Sequence, residues 1–241
     1  MDIAGRFMVE LAQLGPGATD PGLLPDRLAT ATARALRVDA VGLTLAAQQP
    51  TSIGASDETA ALAEQLQFTV GSGPCLATVD SQVPIFAVES YLQRRWPFYH
   101  DLLRAQTPFR SVVAFPLSGG LSGTGAMVVY LASPAGPLEF DALDAQSLVF
   151  LVSEELAAST VWAQRHQPGL QHWIDVPAAR VRTEVWQAVG IVTAGLGLSG
   201  ADALALLRAR AYGSSRLVDE VAHDLVTRRL SLDDLLADTP R

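Results

Sequence analysis

Apolar residues recur at helical spacing near both ends of the chain and at strand spacing between them. Ile3, Phe7, Leu11 and Leu14 form a stripe of period near 3.6 and predict a helix over 2–14, ended by Gly15-Pro16-Gly17. Leu24, Leu28, Ala31, Ala35 and Leu36 predict a second helix after Pro21. The period then falls to two. Val41, Leu43 and Leu45 alternate with small residues as a strand does, and Thr51 to Ser56 supplies a hairpin partner across a turn at Gln48 to Pro50. A short helix over 57–67, a Gly-rich turn from Gly71 to Pro74, a small strand over Val83 to Val88 and a helix around 90–104 follow. Val112 to Leu117 and Ala126 to Leu131 read as two strong strands joined by a Gly-rich turn. A long helix then runs over about 140–165. These elements do not alternate strictly between strand and helix. They predict an α+β unit with a mixed or antiparallel sheet flanked by helices, rather than a doubly wound one.

Residues 166–177 break the pattern with two prolines and a glycine, and are read as a linker after a first unit over 1–165. The remainder is all-α. Val181, Val185, Ala188, Val189, Val192 and Leu196 stripe a helix over 178–196. Ser199 to Asp202 has capping-box form and opens a helix that runs to Tyr212. Ser214 or Ser215 is the expected cap of a third helix with Leu217, Val221, Ala222, Leu225 and Val226 inward, and Ser231 to Asp234 opens one last turn. Three short helices of about 50 residues can just bury a core of their own. The second unit thus spans 178–236, with a tail at 237–241.

Charge divides at the same boundary. Residues 1–176 hold nine of the 17 arginines and 17 of the 25 acids, so they carry the whole net charge of −8. The remaining eight arginines and eight acids cancel, and the chain has no lysine. An acidic first part argues against nucleic-acid binding there, whereas a neutral second part permits it where arginines cluster. Cys75 is the only cysteine, which excludes an intramolecular disulfide and a Cys-rich metal site. No cofactor is expected. None of the familiar nucleophile-elbow, phosphate-loop, dinucleotide or zinc-protease motifs is present, so the expectation is a non-catalytic protein. No apolar run approaches the roughly 18 residues of a membrane span, and the first residues lack a signal-peptide core, so a cytoplasmic location is expected.

Three features have chemical content. Cys75 follows a glycine turn at a helix start, which suits either a redox-sensing thiol or a small buried residue. Phe68, Phe86, Trp96, Phe98, Tyr99, Phe109 and Phe115 surround the expected sheet, as core or as the lining of a ligand cavity. From Ala203 to Val218 there are three arginines, Arg208, Arg210 and Arg216, and no acid. Arg208 and Arg210 diverge on a helix, whereas Arg208 and Tyr212 share a face. Gly213-Ser214-Ser215 would offer backbone N–H groups at the next helix start, a natural phosphate site. Arginine, an aromatic and free amides together suit unstacked RNA bases.

At these residues the sequence resembles a known family. Val185-Trp-Gln-Ala-Val-Gly-Ile191, Leu206-Leu-Arg-Ala-Arg-Ala-Tyr212 and Leu217-Val-Asp-Glu-Val-Ala222 resemble the ANTAR family of RNA-binding antiterminators, over residues 178–236. Leu66 to Cys75 and Arg110 to Leu117 look like the GAF domain that often precedes it. The resemblance implies a GAF-like sensor and dimerisation unit that takes a small ligand. It also implies a three-helix unit that binds paired RNA hairpins with hexanucleotide loops in nascent transcripts, preventing terminator formation. By the same resemblance, Gln187, Ala188 and Gly190 match the first-helix motif, and Arg208, Ala211 and Tyr212 the second. Arg210, Ser214, Ser215 and Arg216 complete the expected RNA-binding set, with Ala211 allowing close approach of the RNA. Many members carry Lys after the Gln-Ala pair, where this chain has Val189. A homodimer is expected through helices 2–14 and 140–165, whose apolar stripes exceed what one small sheet needs. A DNA-binding regulator and a ligand-sensing protein-interaction module are the alternative readings.

Overall fold

The computed structural model describes residues 1–15, 23–45, 51–166 and 177–237, with side chains described except at 160–166 and 177–182. The linker expected over 166–177 lies, its two end residues apart, outside the described residues, as do the turn at 48–50 and residues 238–241 of the tail.

Local sequence signals set most element ends. Helix α1 (Ile3–Gln13) starts where the Asp2 side chain accepts from Gly5 N–H. Helix α2 (Leu24–Leu36) ends at Arg37 in the left-handed region. Strands β1 (Ala40–Leu45) and β2 (Thr51–Ala55) form an antiparallel pair with an irregularity between Leu43 and Thr44. Helix α3 (Glu58–Val70) is capped by Asp57, whose carboxylate accepts from Ala60 N–H. It runs a turn beyond the expected end at 67 and stops at Gly71, where φ is +75°. Only a residue without Cβ takes that conformation at no cost.

Pro74 does not merely close a turn. It occupies the first position of helix α4 (Pro74–Ser81), where its missing N–H costs nothing. The helix expected over 90–104 is two helices, α5 (Glu89–Arg95) and α6 (Pro97–Gln106), because Pro97 cannot continue the ladder of α5. Strand β3 shortens to Ile85–Ala87. Strands β4 (Ser111–Pro116) and β5 (Gly125–Leu131) and the long helix α7 (Ala142–His166) lie close to where the pattern placed them.

The sheet is antiparallel throughout, in the order β2-β1-β5-β4-β3. Strands β1, β5 and β4 are covered on both faces, and strict alternation divides their side chains between two cores. Val41, Leu43, Val113, Phe115, Met127 and Val129 meet α1, α2 and α7 on one face. Ala40, Val112, Ala114, Ala126, Val128 and Tyr130 meet α3 to α6 on the other.

The chain then enters the C-terminal helices α8 (Pro177–Leu196), α9 (Gly200–Gly213), α10 (Val218–Val226) and α11 (Leu232–Leu236). Ser199 and Ser231 cap α9 and α11 as expected. The third helix does not start at a serine. Its N-cap is Leu217, whose N–H donates to the Glu220 side chain. The fold is therefore α+β, with a flanked antiparallel sheet followed by a helical part. Val185, Ala188, Val192, Leu207, Val221 and Leu225 build a third core there. That core includes one residue from far upstream, Phe68 of α3. In return, Leu217 packs against the core under α3 to α6. Helix α8 also packs against the edge strand β2, which helps to cover an otherwise open edge.

Candidate nucleic-acid interface and a buried polar cluster

Helix α9 carries the arginine window. Its 3.6-residue period turns Ala203, Leu207 and Ala211 into the third core. Arg208 and Tyr212, four apart, come out together on the side that faces α3 and α6. The Arg208 Nε–H donates to the Phe68 carbonyl at 2.9 Å, and its guanidinium carbon lies 4.8 Å from the Phe68 ring centroid. Tyr212 meets Phe98 of α6 edge to face, with centroids 5.2 Å apart. Beside them the Val218 N–H donates to Thr69 Oγ1 at 3.2 Å. Partial burial pulls the Arg208 guanidinium below its ordinary pKa.

The other expected RNA-binding residues scatter. Arg210 leaves on a different face and donates from Nη1 to the Ala237 carbonyl. Arg216 pairs with Asp224 at 2.7 Å and lies 3.7 Å from Glu220. It lines a cleft of about 490 Å³ shared with Glu184, Asp219 and His223, too acidic a surrounding for a phosphate site of its own. Gln187 and Gly190 are exposed on α8. Ala188 and Ala211 are fully buried, so close RNA approach at Ala211 is corrected: the methyl group is core. Val189 is buried too, in the place where a basic residue was the comparison.

The free amides expected at 213–215 are also corrected. Ser214 N–H donates to the Arg210 carbonyl, Ser215 N–H to Tyr212 and Arg216 N–H to Ala211. These bonds close the end of α9, and Ser215 takes a left-handed φ of +54° to make the turn. No open row of donors remains there for a phosphate.

A second constellation was not anticipated. Glu64 of α3 is buried against the sheet. Its carboxyl oxygens accept from the Tyr130 hydroxyl and the Thr44 hydroxyl, each at 2.5 Å. Gln67, one turn on, donates from Nε2 to the Tyr130 oxygen at 3.2 Å, and its Oε1 accepts from Cys75 N–H at 2.9 Å. Gly42 makes the room: a Cβ there would sit 2.5 Å from Glu64 Oε1. The signal was present in the sequence, because Glu64 falls on the apolar stripe of Ala60, Ala63 and Leu66. An acid on a buried stripe needs partners, and only the fold reveals which ones.

Cys75 lies in this cluster at 1% exposure. Burial pushes its thiol well above the ordinary range, and Glu64 adds to the shift. A reactive redox sensor needs an exposed thiol held low, the opposite of this arrangement. The thiol should therefore react with iodoacetamide at least about 100-fold more slowly than a free cysteine, and at the free rate once urea unfolds the chain. Rapid labelling of the folded protein would contradict the buried placement.

Most of the aromatics are core: Phe68, Trp96, Tyr99, Phe109 and Phe115 are buried. Phe98, at 58% exposure, and Phe86 are not. Among the described residues no group of three or more His, Cys, Asp or Glu side chains could hold a metal ion. Likewise among them, no single helix is long and apolar enough to cross a membrane.

No sequence-family profile and no curated protein matches the chain. Solved structures do share features with it. A GAF domain of a phosphoenolpyruvate-protein phosphotransferase from Coxiella burnetii is 13% identical, with 68% of this chain and 96% of that chain covered and a TM-score of 0.48. The GAF domain of the corresponding Acinetobacter protein is 11% identical over 69% and 97%, with a TM-score of 0.45. A red/green cyanobacteriochrome in its red light-absorbing state is 13% identical over 58% and 92%, with a TM-score of 0.41.

Proposed function

We propose that the protein is a non-catalytic RNA-binding regulator, in which residues 178–236 bind structured hairpin loops of nascent transcripts and prevent terminator formation. The N-terminal unit is a GAF-like sensor that controls this activity. The observation that carries the reading is the acid-free arginine window, Ala203 to Val218, inside the ANTAR-like motifs. Its Arg208 and Tyr212 stand on one face of α9, a cation beside a stacking ring, as unstacked RNA requires. That face now meets α3 and α6, so RNA access to Arg208 needs α9 to leave α3.

A gel-shift with a two-hexaloop RNA tests the reading. Arg208→Ala should lose about 1–3 kcal/mol if the guanidinium reads a base bidentately, and less if it meets only phosphate. Arg216→Ala should lose less than Arg208→Ala, because Asp224 already holds Arg216. Unchanged binding by both variants would sink the residue assignment. A protein with no salt-dependent nucleic-acid affinity at all would instead be an interaction module, a reading that the protein-facing side of α9 favours.

The same proposal includes a homodimer through α1 and α7, which pack on each other. Met8, Val9, Leu143 and Phe150 of these two helices remain exposed, more apolar surface than a lone unit needs. Light scattering at micromolar concentration should give twice the chain mass, and Phe150→Glu should halve it. A monomer mass for the unmodified chain would refute the dimer.

A further inference from the structure

We propose that the cleft between α3, α6 and α9 binds a small organic anion with a flat apolar body, and that the bound anion holds α9 against α3. The cleft has a volume of about 340 Å³ and is lined by Val70, Gly71, Phe98, Arg208, Ala209 and Tyr212, among others. That volume lies in the range small-molecule sites occupy.

The chemistry of this space is unbalanced. Arg208 gives its Nε–H to a neutral carbonyl and rests on a neutral ring. Arg6, Arg34, Arg216 and Arg229 each meet a carboxylate, but among the described residues Arg208 meets none. No acid lines the cleft. Its half-buried guanidinium therefore keeps N–H groups available for a bidentate carboxylate, the strongest partner that such a fork accepts. Burial already disfavours the unaccompanied charge.

The walls select the rest of the ligand. Phe98 and Tyr212 present two rings at a 79° angle, and Phe98 is among the most exposed large apolar residues of the chain. A planar hydrocarbon body laid against this ring pair would cover surface that the protein leaves to water. Gly71 keeps the floor open, since a Cβ there would sit 2.7 Å from Arg208 Nη1. The ligand would touch α3 and α6 on one side and α9 on the other. Anything that binds only the closed arrangement favours it by mass action. Taken with the RNA-binding reading, on which this last step rests, such an anion opposes RNA binding by keeping Arg208 and Tyr212 engaged.

The test is a calorimetric titration of the full chain with benzoate, phenylacetate and indole-3-acetate, with benzyl alcohol as the uncharged control. One-to-one saturable binding of at least one acid is expected, about tenfold or more tighter than the alcohol. It should vanish in Arg208→Ala and in Ala209→Phe, which fills the cleft from an exposed position. The site is overturned by no saturable binding of any acid below about 10 mM, by equal binding of benzyl alcohol, or by undiminished binding in both variants. A gel-shift with and without saturating acid then tests the clamp, and RNA affinity should fall. If the acid binds but RNA affinity is unchanged, the clamp is overturned and the site stands. If RNA never binds, the RNA reading fails while the calorimetry still decides the site.

Discussion

Phe68→Ala is expected to turn one cooperative unfolding transition into two. The ring sits at 3% exposure, on a helix of the N-terminal unit but within the core of the C-terminal one. Its removal costs about 3–5 kcal/mol, the transfer and cavity terms together. The cation–π contact with Arg208 is lost as well, a further ~0.5–1 kcal/mol at a partly exposed site. What would still join α9 and α10 to the sheet unit is lighter: the Arg208 bond to the residue-68 carbonyl, the Val218–Thr69 bond, the Phe98–Tyr212 edge contact and Leu217. A helical unit of about 50 residues has little stability to spare. Scanning calorimetry of the variant should show a separate, lower-melting transition belonging to the C-terminal helices. A single transition displaced by less than about 1 kcal/mol would mean that the ring does not join the two parts.

The second large effect is expected at Glu64. Its two oxygens are shared between the hydroxyls of Thr44 on β1 and Tyr130 on β5, and it stands one turn from Gln67, which holds the start of α4. Glu64→Ala would take the acceptor from both buried hydroxyls and leave a void where the carboxyl lay. Removing one member of such a set costs about 3–5 kcal/mol. Glu64→Gln keeps the volume and one acceptor oxygen, so it should lose less than half as much. Urea denaturation of the two variants measures the difference. Equal losses would contradict this, because the retained volume and the remaining acceptor oxygen would then contribute nothing. Because α3 also carries Phe68, Glu64→Ala should weaken the grip on α9 as well as the sheet.

Much of this architecture was legible in the residues. Periodicity placed the paired strands around Val41–Leu45 and Val112–Leu131, the opening helices and the long α7. Side-chain caps at Ser199 and Ser231 were readable because that chemistry is local. The errors have physical causes. Helix α4 was legible only as a start at Cys75, because Gly73-Pro74 signals a turn and a helix start equally well. The break between α5 and α6 was overlooked because the aromatic stripe continues across Pro97. The serines at 214 and 215 look like caps, yet the chain uses their amides to finish α9 and starts α10 four residues beyond Ser214.

The candidate site was less legible than the fold. Helical geometry correctly paired Arg208 with Tyr212, but periodicity cannot say which partner a face will meet. Phe68 reads as a core residue of its own helix, and nothing nearby in sequence points to a core assembled from Val185 onward. Glu64 carried a local signal in its apolar neighbours, but its partners lie on strands that only the sheet brings together.

The exchange of Phe68 for Leu217 has a practical consequence for anyone dissecting the protein. A fragment beginning at Pro177 would contain every motif of the C-terminal unit and still lack the ring that completes its core. A fragment ending at His166 would keep that ring and expose it, with the seat of Leu217 empty beside it. Halves expressed apart should therefore each be worse behaved than the whole, and mixing them should restore part of what was lost.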